Sequence, residues 1–304
     1  MHASVIEAVR ERGPAPADRK RERCPLCASE RLQHCLTLPH NPLLKCADCG
    51  LSCTERIGSD EAVAEYYRDR TAHAGKLEEG NELAAAMASF QAELLSRVIS
   101  HEGGRLLELG CAAGNLLAAM EQRGWQCWGV ELSETSLQAA SSTTHATLHL
   151  GTLDNFIHPP EAFDCVAAFD LLAHLTDPVT TLRQAASLLR PGGWLVLSTV
   201  NEGWPLVPVF QRLFSLLPDQ TAGLRDEMYE AQHYAYFNKS TLTRLMREAG
   251  LDLHTVEPLA PFSAHYFRHQ YRLTKRLALT GMLGLDRLMG ASRKMLVAAR
   301  KPLG

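Results

Sequence analysis

The sequence predicts an α/β protein: a doubly wound, mostly parallel sheet preceded by a small cysteine-bearing module. Two observations carry that expectation. From Arg105 onward, short apolar runs alternate with segments whose apolar residues recur at helical spacing. Ahead of them, four of the nine cysteines fall into two C-x-x-C pairs. The 304 residues can hold one large domain and a small appendage, and 46% hydrophobic with 21% charged residues is ordinary for a globular chain. A net charge of −3 gives no general affinity for nucleic acid. The early "RERGPAPADRKRER" is polar and basic, unlike a signal region, and no run of about 18 apolar residues occurs. A cytoplasmic protein is expected.

Residues 1–22 read as a mobile arm, with a short helix over "SVIEAVRER". Residues 23–56 read as a ribbon. Cys24 and Cys27 form one knuckle, Cys46 and Cys49 the other, and 18 residues lie between them, enough for short strands that bring the knuckles together. Four thiolates so spaced fit one zinc ion, and they leave no open position for catalysis, so the ion would be structural. Four unconnected cysteines are the alternative; a disulfide framework does not suit a reducing compartment. His34, His40 and Cys53 lie near enough to substitute as ligands. Cys35, Cys53, Cys111, Cys127 and Cys165 read as small buried hydrophobes.

Residues 57–103 read as a helical leader, from "DEAVAEYYRDR" and "NELAAAMASFQAELLSRVIS". The large domain, 104–304, then alternates. "RLLELG", "WQCWGVEL", "HATLHLG", "FDCVAAFD" and "PGGWLVLSTV" read as strands. Residues 114–123 and 134–142, "DPVTTLRQAASLL" and "NKSTLTRLMREAG" read as helices. Such sheets bind ligands at the carboxyl ends of their strands.

The ligand is suggested by "ELGCAAGN". No lysine follows Gly114, so this is not a P-loop. Glycines stand at 110 and 114 with Ala112 between them, so the third glycine of a dinucleotide loop is missing. Glu108, just before the loop, suits a phosphate poorly and a cationic ligand well. S-adenosylmethionine has an ammonium group, a sulfonium and a ribose, and no phosphate.

At these residues the sequence resembles the class I S-adenosylmethionine-dependent methyltransferases, and its ribbon resembles the leader found on a bacterial branch of them. The resemblance implies a seven-stranded sheet and a set of cofactor-binding residues. Glu108, Gly110, Cys111, Ala112 and Gly114 stand in the first motif. Glu131, 23 residues beyond Glu108, would accept the ribose hydroxyls, and Leu132 would pack on the adenine. Leu153 and Asp154 would meet the adenine amino group, and Phe169 and Asp170 would border the methionine end. Where the family often has Glu-His, this chain has Ala173-His174.

Methyl transfer to a hydroxyl calls for a general base. His174 and His233 are the candidates, each with a purely structural role as the alternative. Tyr234 and Tyr236 could shape an acceptor pocket or pack in the core, and Tyr66 and Tyr67 could cover the cofactor. The apolar "GWPLVPVFQRLFSLLP" brings Val207, Phe210 and Phe214 toward an acceptor. Residues 265–294 read as a helical insertion, with seven Arg and Lys against one Asp. It suggests either peripheral contact with a membrane or a lipid-linked substrate, or plain packing with a solvated basic face. A small-molecule, sugar-linked or lipid-linked acceptor is therefore expected. Three other classes remain. They are an RNA methyltransferase gripping through the ribbon, a non-catalytic cofactor-binding protein and a nicotinamide oxidoreductase. In the ribbon, Arg31 and Lys45 face Glu30 and Asp48, which argues against RNA.

Overall fold

The computed structural model describes residues 15–68, 82–259 and 284–303. The helix expected over "SVIEAVRER" and most of the basic stretch 265–294 lie outside the described residues. Five short strands come first: β1 (Arg19–Lys20), β2 (Leu32–Leu36), β3 (Leu43–Cys46), β4 (Ser52–Thr54) and β5 (Arg56–Ile57). Residues 60–68 are helical, and the Ser59 hydroxyl caps them by accepting the Ala62 N–H at 3.3 Å. A second helix, Glu82–Val98, precedes the large sheet.

That sheet contains β6 (Gly104–Leu109), β7 (Trp125–Glu131), β8 (Thr147–Leu150), β9 (Phe163–Ala168) and β10 (Leu189–Val200). After the two-residue β11 (Ala235–Tyr236) it is completed by β12 (Asp252–Leu259) and β13 (Lys294–Arg300). The order is β12-β13-β10-β9-β6-β7-β8; β13 is antiparallel to both neighbours and the other pairs are parallel. The chain steps outward from β6 through β7 to β8, then returns to β6's other side as β9. The switch of direction opens a crevice at the carboxyl ends of β6 and β9.

Near-continuous apolar strands follow from burial on both faces. Successive residues alternate between the faces. Leu107, Leu109, Val166, Ala168, Leu195 and Leu197 join one apolar cluster, covered by the helices Pro178–Leu188 and Lys239–Glu248. Leu106, Cys127, Cys165, Ala167 and Val196 join the other, covered by Glu82–Val98 and Asn115–Glu121. Cys53, Cys111, Cys127 and Cys165 are buried as expected, but Cys35 is exposed, because its strand β2 is the outer edge of the ribbon sheet.

The ribbon sheet holds a feature that sequence reading missed. Its order is β11-β4-β3-β2, so a segment from beyond the fifth strand of the large sheet supplies its fourth strand. The ribbon is thus built into the large domain. Val207 and Phe214, expected beside an acceptor, are instead buried in a cluster with Leu36, Leu38 and Leu43 of the ribbon, and Phe210 packs on that cluster.

Candidate active site

Strand β6 ends at Leu109 and the chain turns into the helix Asn115–Glu121 through a left-handed loop. Gly110 has φ 71° and Gly114 φ 75°. At Gly114 a Cβ would lie 2.9 Å from Thr144 Cγ2 and 3.1 Å from Ala140 Cβ, so both backbone angle and space require glycine. Ala112 sits between them at φ 44°, a conformation that strains an L-residue. The Ala112→Gly variant is therefore expected to stabilise the apo protein by about 1 kcal/mol, checked by urea denaturation.

Glu131, at the end of β7, ties the loop down. Its Oε2 accepts the Ala112 N–H at 3.0 Å and its Oε1 the Ser133 N–H at 2.9 Å. A carboxylate accepts about four hydrogen bonds, so each oxygen keeps a lone pair for a ligand hydroxyl. Burial pushes its pKa up, the backbone donors pull it down, and it stays raised. Ser133 itself caps the next helix through the Ser136 N–H at 3.1 Å.

Glu108 is 6% exposed, and its Oε2 is buried with no hydrogen-bond partner among the described residues. Burial, then the neighbouring Glu131 charge, pushes its pKa to about 8. A buried carboxylate without a partner is costly unless a ligand completes it. An ammonium group of S-adenosylmethionine is a chemical match, so the residues present fit this cofactor. Cys111 is buried beneath the loop, where only Gly129 leaves it room: a Cβ there would approach Cys111 Sγ at 2.6 Å.

The remaining cofactor candidates lie along the same edge. Leu132 is half-buried beyond Glu131, and Leu153 packs against the first apolar cluster. Asp154 is exposed on the short turn Leu153–Asn155, where its Oδ1 accepts Gln184 Nε2 at 2.7 Å and its Oδ2 accepts Thr152 Oγ1 at 3.1 Å. Phe169 is half-buried after β9. Asp170 follows in a left-handed conformation at φ 53°. Its Oδ1 accepts Ser198 Oγ at 2.9 Å and its Oδ2 accepts Lys294 Nζ at 2.6 Å. Burial works against the charge, but Lys294 and Ser198 outweigh it and hold the carboxyl below its ordinary range.

The two candidate histidines come together, although they are 59 positions apart in the sequence. Their ring centroids are 4.7 Å apart, edge to face. His174 follows Asp170 by one turn, and its Nδ1 lies 3.0 Å from Tyr67 Oη. His233 is 7% exposed; its Nε2 lies 3.9 Å from Glu230 Oε2, and its Nδ1 is buried with no hydrogen-bond partner among the described residues. Burial lowers both imidazoles to about 3, so both are neutral near pH 7. Sequence reading weighed Tyr67 only as a cofactor cover and Lys294 only as one charge of the basic stretch 265–294.

Away from the crevice, the four ribbon cysteines converge. Cys24 and Cys49 Sγ are 3.5 Å apart, Cys27 and Cys46 Sγ 3.6 Å, and all four lie within 4.8 Å of one another. A tetrahedron with Zn–S near 2.3 Å has sulfur–sulfur edges of about 3.8 Å, so this donor set fits zinc. The knuckles repeat one turn: Ala28 N–H donates to Cys24 O and Gly50 N–H to Cys46 O, each at 2.9 Å. His34 and His40 are not in the cluster, nor is Cys53.

The sheet order, the glycine loop and the paired acids at the ends of β6 and β7 define a class I S-adenosylmethionine-dependent methyltransferase. The family description "Methyltransferase domain" matches residues 80–256, and the chain belongs to that family. It is 33% identical over 172 residues to the ubiquinone biosynthesis O-methyltransferase of Nitrosospira multiformis, covering 51% of this chain and 65% of that protein. It is 28% identical over 223 residues to the protein of that name from Stutzerimonas stutzeri, covering 69% of this chain and 89% of that one. Among solved structures, it resembles a chain of the complex between the Haloferax volcanii Trm112 methyltransferase activator and the putative methyltransferase. There the TM-score is 0.55 and the identity 18%, over 78% of this chain and 97% of that one. It also resembles geranyl diphosphate C-methyltransferase from Streptomyces coelicolor A3(2). There the TM-score is 0.51 and the identity 17%, over 70% of this chain and 79% of that one. At these identities the structural likenesses speak for the fold alone. No helix among the described residues is long and apolar enough to cross a membrane.

Proposed function

We propose that the protein methylates a hydroxyl group of a small-molecule acceptor, with His233 taking the hydroxyl proton. The observation that carries this reading is the pair of neutral imidazoles beside Asp170, one of them with a buried Nδ1 that has no partner among the described residues. The O-methyltransferase activity named for the relatives supports an oxygen acceptor. S-adenosylmethionine supplies a methyl group already bonded to a good leaving group, so the chain's own residues mainly bind, orient and hold a proton. Glu108 would face the ammonium group and Glu131 the ribose. His174 would fix the orientation of His233, while Asp170 and Glu230 would favour the imidazolium that forms.

Of the basic residues in 284–294, Arg293 pairs with Glu202 at 3.5 Å and Lys294 with Asp170 at 2.6 Å. The Arg293–Glu202 pair is largely buried, whereas the Lys294–Asp170 pair is partly exposed and Arg287 is exposed, so the small-molecule acceptor is proposed on the activity named for the relatives. We also propose that Cys24, Cys27, Cys46 and Cys49 hold a structural zinc ion.

A panel of phenols and catechols, with S-adenosylhomocysteine formation as the readout, tests the reading. The His233→Gln variant should bind S-adenosylmethionine within about twofold of wild type and lose roughly 10²-fold or more in turnover. Turnover that survives this substitution would remove His233 from the chemistry.

A further inference from the structure

The Tyr234 peptide is held on both sides. Its carbonyl accepts the Thr54 N–H of β4 at 3.0 Å, and its N–H donates to Ala173 O at 2.7 Å. Strand pairing continues the first contact, with Ala235 opposite Cys53 and Tyr236 opposite Ser52. The second contact grips the residue just before His174. The Tyr234 hydroxyl donates to Pro16 O at 2.9 Å, and the Ala15 N–H donates to Ala231 O at 2.9 Å. Behind the strand, Leu26, Cys46 and Leu51 of the ribbon share an apolar cluster with Ala235, Phe237 and Leu172.

His233 immediately precedes this clamped peptide, and His174 sits on the turn the peptide grips. From this geometry we propose that the ribbon is a positioning element of the acceptor half of the site. It sets the separation of the two imidazoles by holding Tyr234 between β4 and the turn Leu172–His174. The cofactor half is built differently. Glu131 is fixed by backbone donors of Ala112 and Ser133, and the loop 110–114 by Val130 O and Cys111 O. The family match begins at residue 80, beyond the ribbon. A core that binds cofactor without the ribbon, and an acceptor site that needs it, is the arrangement expected. Tyr67, from the helix 60–68, adds a second brace at His174 Nδ1.

The inference rests on the reading of His233 as proton acceptor, but its test reads position and not chemistry. Retained turnover in His233→Gln would remove that reading and leave the result below untouched. Amide hydrogen exchange and calorimetry are run on the full chain, wild type against Cys46→Ala/Cys49→Ala and against Thr54→Pro. The proline variant deletes both the N–H and the hydroxyl that Thr54 gives to Tyr234 O and keeps all four thiols. In both variants, exchange over 231–237 and 171–176 should rise about tenfold or more. Exchange over 105–131 and affinity for S-adenosylmethionine should change by less than about twofold. Unchanged exchange over 231–237 overturns the proposal. Equal loosening over 105–131 with lost cofactor affinity also overturns it, because the ribbon would then stabilise the whole fold. Should neither variant fold, native-state exchange of the wild type in rising denaturant decides. Residues 231–237 must open together with 43–54 and before 105–131, and any other order refutes the brace.

Discussion

The Glu108→Gln variant should be more stable than wild type in the absence of cofactor at pH 8, and should bind S-adenosylmethionine at least about tenfold more weakly. Both effects follow from one buried carboxyl. Its folded pKa is about 8, against an ordinary value of 4.5. Across that window the folded state holds a proton that the unfolded state has released. Apo stability therefore falls as pH rises from about 4.5 to about 8 and is level above, by an amount on the order of 3–5 kcal/mol. Gln keeps the shape and removes the titration, so the slope in that window should flatten. The ligand reverses the sign. An ammonium group beside Glu108 favours the carboxylate, so binding at pH 6–7 should release close to one proton and tighten as pH rises toward 8. Denaturation across pH, with calorimetry in two buffers of different ionisation enthalpy, measures both. An identical pH slope in wild type and variant, with unchanged affinity, would show that Glu108 faces no ligand.

The grouping of the residues proposed to hold the cofactor was legible in the sequence because they are local. Glu108, the loop to Gly114 and Glu131 follow one another along β6, a turn and β7. Their order survives in one dimension, and parallel pairing of β6 and β7 brings them together. The knuckle cysteines were legible for the same reason, since each pair closes within four residues. The acceptor half depends on contacts that no local pattern encodes. Tyr67 meets His174 across 107 positions, Lys294 meets Asp170 across 124, and Thr54 meets Tyr234 across 180. The two residues of β11 are too few to show strand periodicity, and their partner is a strand of a different module. A lysine opening an apolar strand looks like any strand boundary. Arg293 and Lys294 read only as part of a basic stretch because their acids, Glu202 and Asp170, lie beyond the ends of other strands. Val207 and Phe214 were correctly read as an apolar face, but periodicity says only that a face is buried and not which module covers it.

Removing metal from the ribbon should be the most destabilising single perturbation of this protein. Purified chain should carry about one zinc ion, and Cys46→Ala/Cys49→Ala should carry none. The four Sγ atoms are too far apart to be bonded as disulfides, at 3.5 and 3.6 Å against about 2.05 Å for a bond, and close to the edges of a zinc–thiolate tetrahedron. Cys24 and Cys46 are buried at 3% and 1% exposure, and removal of the ion would leave them as unlinked thiols between two knuckles with little else to hold them. Binding free energy of a structural zinc is folding free energy, about 10–16 kcal/mol in isolated fingers at pH 7. Here the large domain has a second apolar cluster with no ribbon residue in it, so the loss falls mainly on the ribbon and on what leans on it. What leans on it is substantial: Ala235, Phe237 and Leu172 through one cluster, Trp204, Val207 and Phe214 through another. A loss of about 3–5 kcal/mol in a chain of this size lowers the melting temperature by roughly 10 °C. Elemental analysis and calorimetric melting with and without chelator measure both quantities. An oxidised cysteine pair in metal-free native protein, or a melting temperature unmoved by complete chelation, would refute the assignment. In either case β4 would have to be held against β11 by packing and backbone hydrogen bonds alone.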